Sequence, residues 1–346
     1  MTAWEHLPKP DGVGEIREIN DGFEALISIP TDEDGYFGRE CPACETPFKM
    51  RHDEYEALPE EIKLTCPYCG HREEHSSFIS SAQHARMMAA AEGLAEQWLH
   101  EQVDDIFSRT FGRHAARPKR SDSFVSIDWS YTPGTPLPVR DLPSALEEQT
   151  RRIVECSVCG NHHAVYSATS FCPVCGPRPA TERVLEAIAA AREALAVEDR
   201  LGEDERETLR AAGVFERFAV DAIESTVSLF EMFAREQFAR RVADTGTHTS
   251  GKGNVFQRLD DTAELFSEQA GLDLVVLTGA ERWERVKRAF ARRHVLTHNG
   301  GVVDQRFLNR VPDSGLKLGQ RLVVRRDDAV QALDDLAAVV QAVSAA

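Results

Sequence analysis

Two groups of residues in this 346-residue chain are equipped for chemistry. The first is its eight cysteines, all of them in Cys-x-x-Cys pairs: Cys41 and Cys44, Cys66 and Cys69, Cys156 and Cys159, Cys172 and Cys175. A Cys-x-x-Cys turn points two thiolates at one ion at about 2.3 Å each, and two such turns close a tetrahedron. The contexts repeat as "CPAC", "CPYCG", "CSVCG" and "CPVCG", and Gly70, Gly160 and Gly176 follow three of the knuckles, where a positive φ is useful. The spacing predicts two structural Zn2+ sites. Each is filled by four thiolates and leaves no open position for catalysis. No thioredoxin-like βαβ pattern surrounds the pairs, which argues against a redox role. With both sets complete, the nearby His52, His71, His75, His162 and His163 are expected at the surface.

The second group is the stretch "RRHVLTHNGG", Arg292 to Gly301. Its plainest reading is a helix C-terminus, where cations suit the helix dipole and Asn and Gly suit the cap. His294 and His298, four apart, could instead share a metal ion, but no Glu lies between them and no third ligand is evident. The remaining reading is phosphate chemistry. Arg293 is a permanent planar cation matched to a phosphate oxygen, and His298 can exchange a proton near neutral pH. Residues 282–293 add Arg282, Arg285, Lys287, Arg288 and Arg292 against the single acid Glu284. Such a set suits metal-independent RNA cleavage by a ribose 2′-hydroxyl, with no cofactor for the reaction itself. Arg293 and His298 lie about 140° apart round an ideal helix. One helix is therefore expected to present them poorly to one phosphate, and a second copy about a two-fold axis is expected to complete the site.

The elements that must position these groups follow from periodicity. Residues 20–30 are strand-like, and a helix of about 28 residues starts at Ser81. A basic stretch "RHAARPKR", a strand "SFVSIDWSY" and a Pro-rich arm "TPGTPLPVRDLP" lead to the second cysteine set. Beyond Pro179 the pattern is helical. One long helix carries an apolar stripe at Phe215, Phe218, Ala222, Ser225, Leu229, Phe233 and Phe238. A third helix spans "NVFQRLDDTAELFSEQAG", and a fourth runs from Thr278 as N-cap to Gly300 and Gly301 as its stop. "LGQRLVV" reads as a short strand before the last helix.

The net charge of −17 is uneven: −11 over residues 1–81, −5 over 82–204 and −1 over 205–346. An acidic N-terminal part repels phosphate backbones, so the C-terminal part is the better place for RNA. Arg151, Arg152 and Arg178 with Tyr166 and Phe171 give the second cysteine region a weaker RNA-binding character. The chain has no apolar run of membrane-spanning length and no secretory signal, so a cytoplasmic protein with no membrane partner is expected.

Arg293, the polar His294 beside it, and His298 match the Arg-x4–6-His motif of the HEPN superfamily. The flanking "NGGVVD" and "NVFQRLDDTAELF" and the long preceding helix also resemble HEPN domains, over roughly Glu205 to Ala346. The resemblance implies an antiparallel helical bundle, commonly a homodimer with the motif at its interface. Many members are metal-independent endoribonucleases in toxin or other defence systems; others only bind nucleotides or proteins. It implies catalytic Arg293 and His298 supported by His294, with Arg292, Asn299 and Arg288 positioning the RNA backbone. The expected molecule is thus multidomain: a first zinc ribbon over 1–80, a helix, strand and linker over 81–150, a second ribbon over 151–180, and an all-α HEPN-like bundle over 181–346. Its expected function is RNA cleavage, with the ribbons recognising the trigger, the substrate or a protein partner. The alternative is a non-catalytic binding or sensor module that docks protein or nucleic acid.

Overall fold

The computed structural model describes residues 7–19, 22–111, 137–142 and 152–346. The strand read at "SFVSIDWSY", the basic "RHAARPKR", most of the Pro-rich arm and Arg151 lie outside the described residues. The chain divides into two compact units, Met1–Pro177 and Arg178–Ala346. Small antiparallel sheets holding the cysteines make up much of the first, and helices dominate the second. Among the described residues no helix is long and apolar enough to cross a membrane.

The first unit opens with a hairpin of β1 (Val13–Ile19) and β2 (Gly22–Ile27). A second hairpin follows, β3 (Tyr36–Glu40) and β4 (Pro47–Arg51), with a short α1 (His52–Glu56) and a two-residue hairpin of β5 (Leu64–Thr65) and β6 (Arg72–Glu73). Then comes α2 (Ser81–Phe111), of 31 residues. Its first turn is tied to the sheet by the buried Gln83, whose amide donates to the Gly38 carbonyl at 2.6 Å. Its middle packs Leu94 against Leu7 and Ile16 of the opening hairpin region. The second cysteine region repeats the scheme with β7 (Arg152–Glu155) and β8 (His162–Val165), then β9 (Phe171–Cys172) and β10 (Gly176–Pro177).

The two cysteine regions, far apart in sequence, are one structure. β4 pairs with β8, Lys49 opposite Ala164 and Met50 opposite His163, giving a four-stranded sheet in the order β3-β4-β8-β7. Phe37, Phe48, Met50, Leu64 and Phe78 share a core with Val154 and Val165. The small hairpins also interlock, since Thr65 N–H donates to the Pro173 carbonyl at 2.8 Å. The ring of Phe171 fills the space beside Gly70, 2.6 Å from where a Cβ would stand.

In the second unit, α3 (Ala180–Ala196) and α4 (Glu203–Ala211) precede α5 (Val214–Arg241). The short α6 (Thr245–Thr249), α7 (Leu259–Ala270) and α8 (Leu274–Thr278) lead to α9 (Ala280–His298), α10 (Gln305–Arg310) and α11 (Arg326–Ala345). α3, α5 and α11 pack on one another, and α9 packs on α5 and α11. The buried face of α5 carries Ala222, Ile223, Val227, Phe230, Phe233, Ala234 and Phe238. Phe215, Phe218, Ser225 and Leu229 of the expected stripe are only partly buried, because the core-facing row is set one position away, at Thr226 and Phe230.

Three further expectations shift. The helix read from "NVFQRLDDTAELF" breaks at Arg258, whose extended backbone separates a 3-10 turn at Val255–Gln257 from α7. Thr278 closes α8, donating its hydroxyl to the Leu274 carbonyl at 2.8 Å, and Gly279 instead precedes α9. "LGQRLVV" contributes a single bridge, Val302 to Arg321.

Candidate functional site

Each cysteine set converges as its spacing requires. Every knuckle lies in or beside the turn of a hairpin, and the two hairpins of each set, which belong to different sheets, bring their turns to one point. Cys41, Cys44, Cys66 and Cys69 place their sulfurs within 4.8 Å of one another, and so do Cys156, Cys159, Cys172 and Cys175. The Cys41–Cys69 and Cys44–Cys66 sulfurs are 3.7 Å apart. Those of Cys156–Cys175 and Cys159–Cys172 are 3.5 and 3.6 Å apart. A tetrahedron with metal–sulfur bonds near 2.3 Å has edges of about 3.8 Å, so both sets fit a thiolate-binding ion such as zinc.

The surrounding backbone favours thiolates. Ala43 N–H points at the Cys41 sulfur and Val174 N–H at the Cys172 sulfur, both at 3.4 Å. Burial pushes the Cys66 and Cys172 thiols well above their ordinary value, so without a cation these two would stay protonated. Gly70, Gly160 and Gly176 have φ of 75°, 76° and 88°, as the knuckle turn demands. The first knuckle places Glu45 there instead, at φ 56°, with its N–H donating to the Cys41 carbonyl at 2.8 Å.

The neighbouring histidines take no place among the ligands. His71 contacts Glu73 at 2.8 Å, His75 contacts the Tyr55 hydroxyl at 2.9 Å, and His162 contacts Glu54 at 2.6 Å. The surface expectation holds for none of the five in full: His52, His71, His75 and His162 are half-buried, and His163, on the paired strand β8, is 1% exposed. Two of the residues read as RNA contacts also have structural tasks. Arg178, at 3% exposure, is held by Glu186, and the Phe171 ring packs over Gly70.

The second site is a cleft of 530 Å³ in the helical unit. Its walls come from α9, from α10, and from the 3-10 turn with the start of α7. Arg293, His294 and His298 all line it. Arg293 Nη1 lies 3.3 Å from His298 Nε2, so the arginine and histidine meet within one chain. The angular gap that called for a second copy is bridged by the long, flexible arginine side chain. The rings of His298 and His294 are 5.0 Å apart between centroids, and His294 Nε2 lies 3.5 Å from Arg306 Nη1. The cleft wall therefore carries a row of Arg293, His298, His294 and Arg306. Partial burial and the charges of Arg306 and Arg310 hold the His294 pKa below its ordinary value, which favours the neutral ring.

The end of α9 and the start of α10 are fixed together. Gly300 and Gly301 adopt φ of 60° and 81°, and Gly301 N–H returns to the Val295 carbonyl at 3.0 Å. Asp304 caps α10 by accepting the Phe307 N–H at 2.8 Å, and accepts the Asn299 amide at 2.6 Å. A small core of Ala291, Val295, Val303, Phe307, Val311 and Leu322 lies beneath. At the other end of α9, the buried Asp335 of α11 takes two hydrogen bonds from Arg285, both at 2.8 Å.

The basic run of α9 is largely neutralised. Arg282 and Arg285 pair with Asp335, and Lys287 with Asp260 and Glu284. Arg288 pairs with Asp313 at 2.6 Å and Arg292 with Asp328 at 3.0 Å. At about 100° per residue, Glu284, Lys287, Phe290, Arg293, His294 and His298 share one half of the helix. Arg288 and Arg292 fall on the other half and do not line the cleft, and neither does Asn299, whose amide is engaged by Asp304. Among the described residues Arg293, Arg306 and Arg310 form no ion pair with a carboxylate. Sequence reading missed Arg306, Asn309 and Arg310. Their only signal was a second Arg-rich turn just after the motif, and nothing in one dimension shows that it folds back beside His294.

Comparison of the chain with protein-family models, with curated proteins and with solved structures returns no match.

Proposed function

We propose that the helical unit is a metal-independent endoribonuclease of HEPN type, with Arg293 and His298 at the scissile phosphate. The observation that carries this reading is the 3.3 Å contact of Arg293 with His298 on the wall of a cleft rich in uncompensated arginine. In the resting chain the arginine N–H points at the imidazole lone pair. A phosphate entering the cleft is a stronger acceptor for Arg293 and frees His298 Nε2. That nitrogen takes the proton of the ribose 2′-hydroxyl as its oxygen bonds to phosphorus. The P–O5′ bond breaks, the departing oxygen takes a proton from solvent, and His298 returns its proton to solvent. The products are a 2′,3′-cyclic phosphate and a 5′-hydroxyl. Arg293 offsets the charge that builds on the non-bridging oxygens. Neutral His294 imposes no repulsion on the imidazolium that forms beside it.

The two cysteine sets are read as structural Zn2+ sites of one fused double ribbon, whose acidic surroundings suit a protein partner better than RNA. The test is incubation of mixed RNA with the zinc-loaded protein, without magnesium and with EDTA present only during the assay. Cleavage that disappears in His298→Ala supports the reading; equal cleavage by that variant refutes it.

The same contact favours a second reading. If bound phosphate does not draw Arg293 off the imidazole, the cleft binds RNA without cutting it. Retention of intact RNA by the wild-type protein, lost on Arg293→Ala, identifies that case.

A further inference from the structure

α10 brings two arginines to the cleft that the reaction above does not use. Arg306 and Arg310 are four residues apart, so they share one face of the helix about 6 Å apart along its axis. Both line the cleft, with Asn309 between them. Their placement is built rather than incidental. Asp304 caps the helix, Phe307 and Val311 bury its other face, and the Asn299–Asp304 hydrogen bond ties it to the end of α9. The other carboxylates that line the cleft are already engaged, Asp261 by Arg258, and Asp260 and Glu284 by Lys287. The positive charge of α10 is thus left for a ligand, in a row that continues from Arg293 through His298 and His294.

We infer that Arg306 and Arg310 form a second phosphate subsite, which holds the phosphate next to the scissile one on a single RNA strand. The inference rests on the proposed cleavage at Arg293 and His298 and names its substrate: a strand long enough to offer two successive phosphates. A single strand is the occupant because the row lies inside a concave cleft, whereas duplex RNA is gripped across a wide, shallow groove. Phe290 on the same wall offers an apolar ring to an unstacked base.

The test compares two substrates, a dinucleoside monophosphate and a single-stranded oligoribonucleotide containing the same scissile step. The wild-type chain should prefer the longer substrate in kcat/KM. The Arg306→Ala/Arg310→Ala variant should lose that preference by about tenfold or more, the effect of a lost charge-assisted hydrogen bond. Arg306→Lys/Arg310→Lys should restore part of it, and a melting curve shows whether each variant folds. A preference that survives both alanines overturns the subsite. A second readout is independent of cleavage. In a His298→Ala background, the slope of log binding constant against log salt for the oligoribonucleotide should become shallower by about 0.7 per phosphate contact removed. An unchanged slope overturns the subsite even if wild-type protein cuts RNA. A shallower slope supports it even if no RNA is cut, and in that event only the catalytic reading fails.

Discussion

In the cysteine-rich unit, each ligand sits three residues from its knuckle partner, and the hairpins do the rest. In the helical unit, Arg306 stands twelve residues from His294 and reaches it only because α10 folds back along α9. The first arrangement is local: a turn of fixed geometry presents two sulfurs whatever the rest of the chain does. The second is assembled: the helix face selects Arg293, His294 and His298, and packing brings up Arg306 and Arg310. The contrast extends to charge. Thiolates that share an ion have one possible use, whereas each basic residue on α9 has several carboxylates to choose from. Five of the six basic residues over 282–293 chose one.

The largest test of this contrast is Cys66→Ser. Zinc content measured by atomic absorption should fall from two ions per chain to one, and the cysteine-rich unit should lose its cooperative melt. The energy at stake is roughly 10 kcal/mol for a structural zinc site. If the helical unit melts as before, local metal geometry and assembled cleft are separable. Unchanged metal content would break the comparison.

His298→Ala is the counterpart in the helical unit. RNA cleavage should fall by about 10²–10⁴-fold, the range for loss of a general base, with an unaltered melting curve because the side chain is exposed. A large drop in melting temperature instead would make the histidine a structural residue.

Gly70→Ala and Gly160→Ala sharpen the local side. Both positions have positive φ, but a new Cβ at Gly70 meets the Phe171 ring at 2.6 Å, whereas at Gly160 it meets nothing within 4 Å. Gly70→Ala should therefore cost about 1–3 kcal/mol more in denaturant unfolding. Equal costs would mean that the small hairpins do not depend on each other.

Arg288→Ala and Arg292→Ala should each leave RNA cleavage close to wild type, while Arg293→Ala abolishes it. A strong effect of either would return the whole basic run to the substrate. The smallest effect belongs to Glu45→Gly, which puts glycine where φ is 56°. Relief of left-handed strain, less the added freedom of the unfolded chain, should give about 0.5 kcal/mol of stabilisation.

Much of this was legible in one dimension. The two ligand sets followed from nearness along the chain, since 21 residues separate Cys44 from Cys66 and 12 separate Cys159 from Cys172. The helix Ala280–His298 and its glycine stop were readable from periodicity and the C-terminal glycines, whereas its start was not, since Thr278 closes the preceding helix. The break at Arg258 was not, since the apolar spacing runs through it unchanged. Nor was the burial of His163, which follows from the pairing of β4 with β8, strands more than a hundred residues apart.

The sequence by itself determined which cysteines could bind metal and that Arg293, His294 and His298 share one helix, because both depend on spacing over a few residues. Only the tertiary structure decided that the two cysteine regions share one sheet, that Arg293 reaches His298 without a second copy, and that Arg288 and Arg292 are engaged elsewhere. Each of these is a choice among distant partners, made by burial and by the nearest opposite charge. No pattern along the chain records that choice.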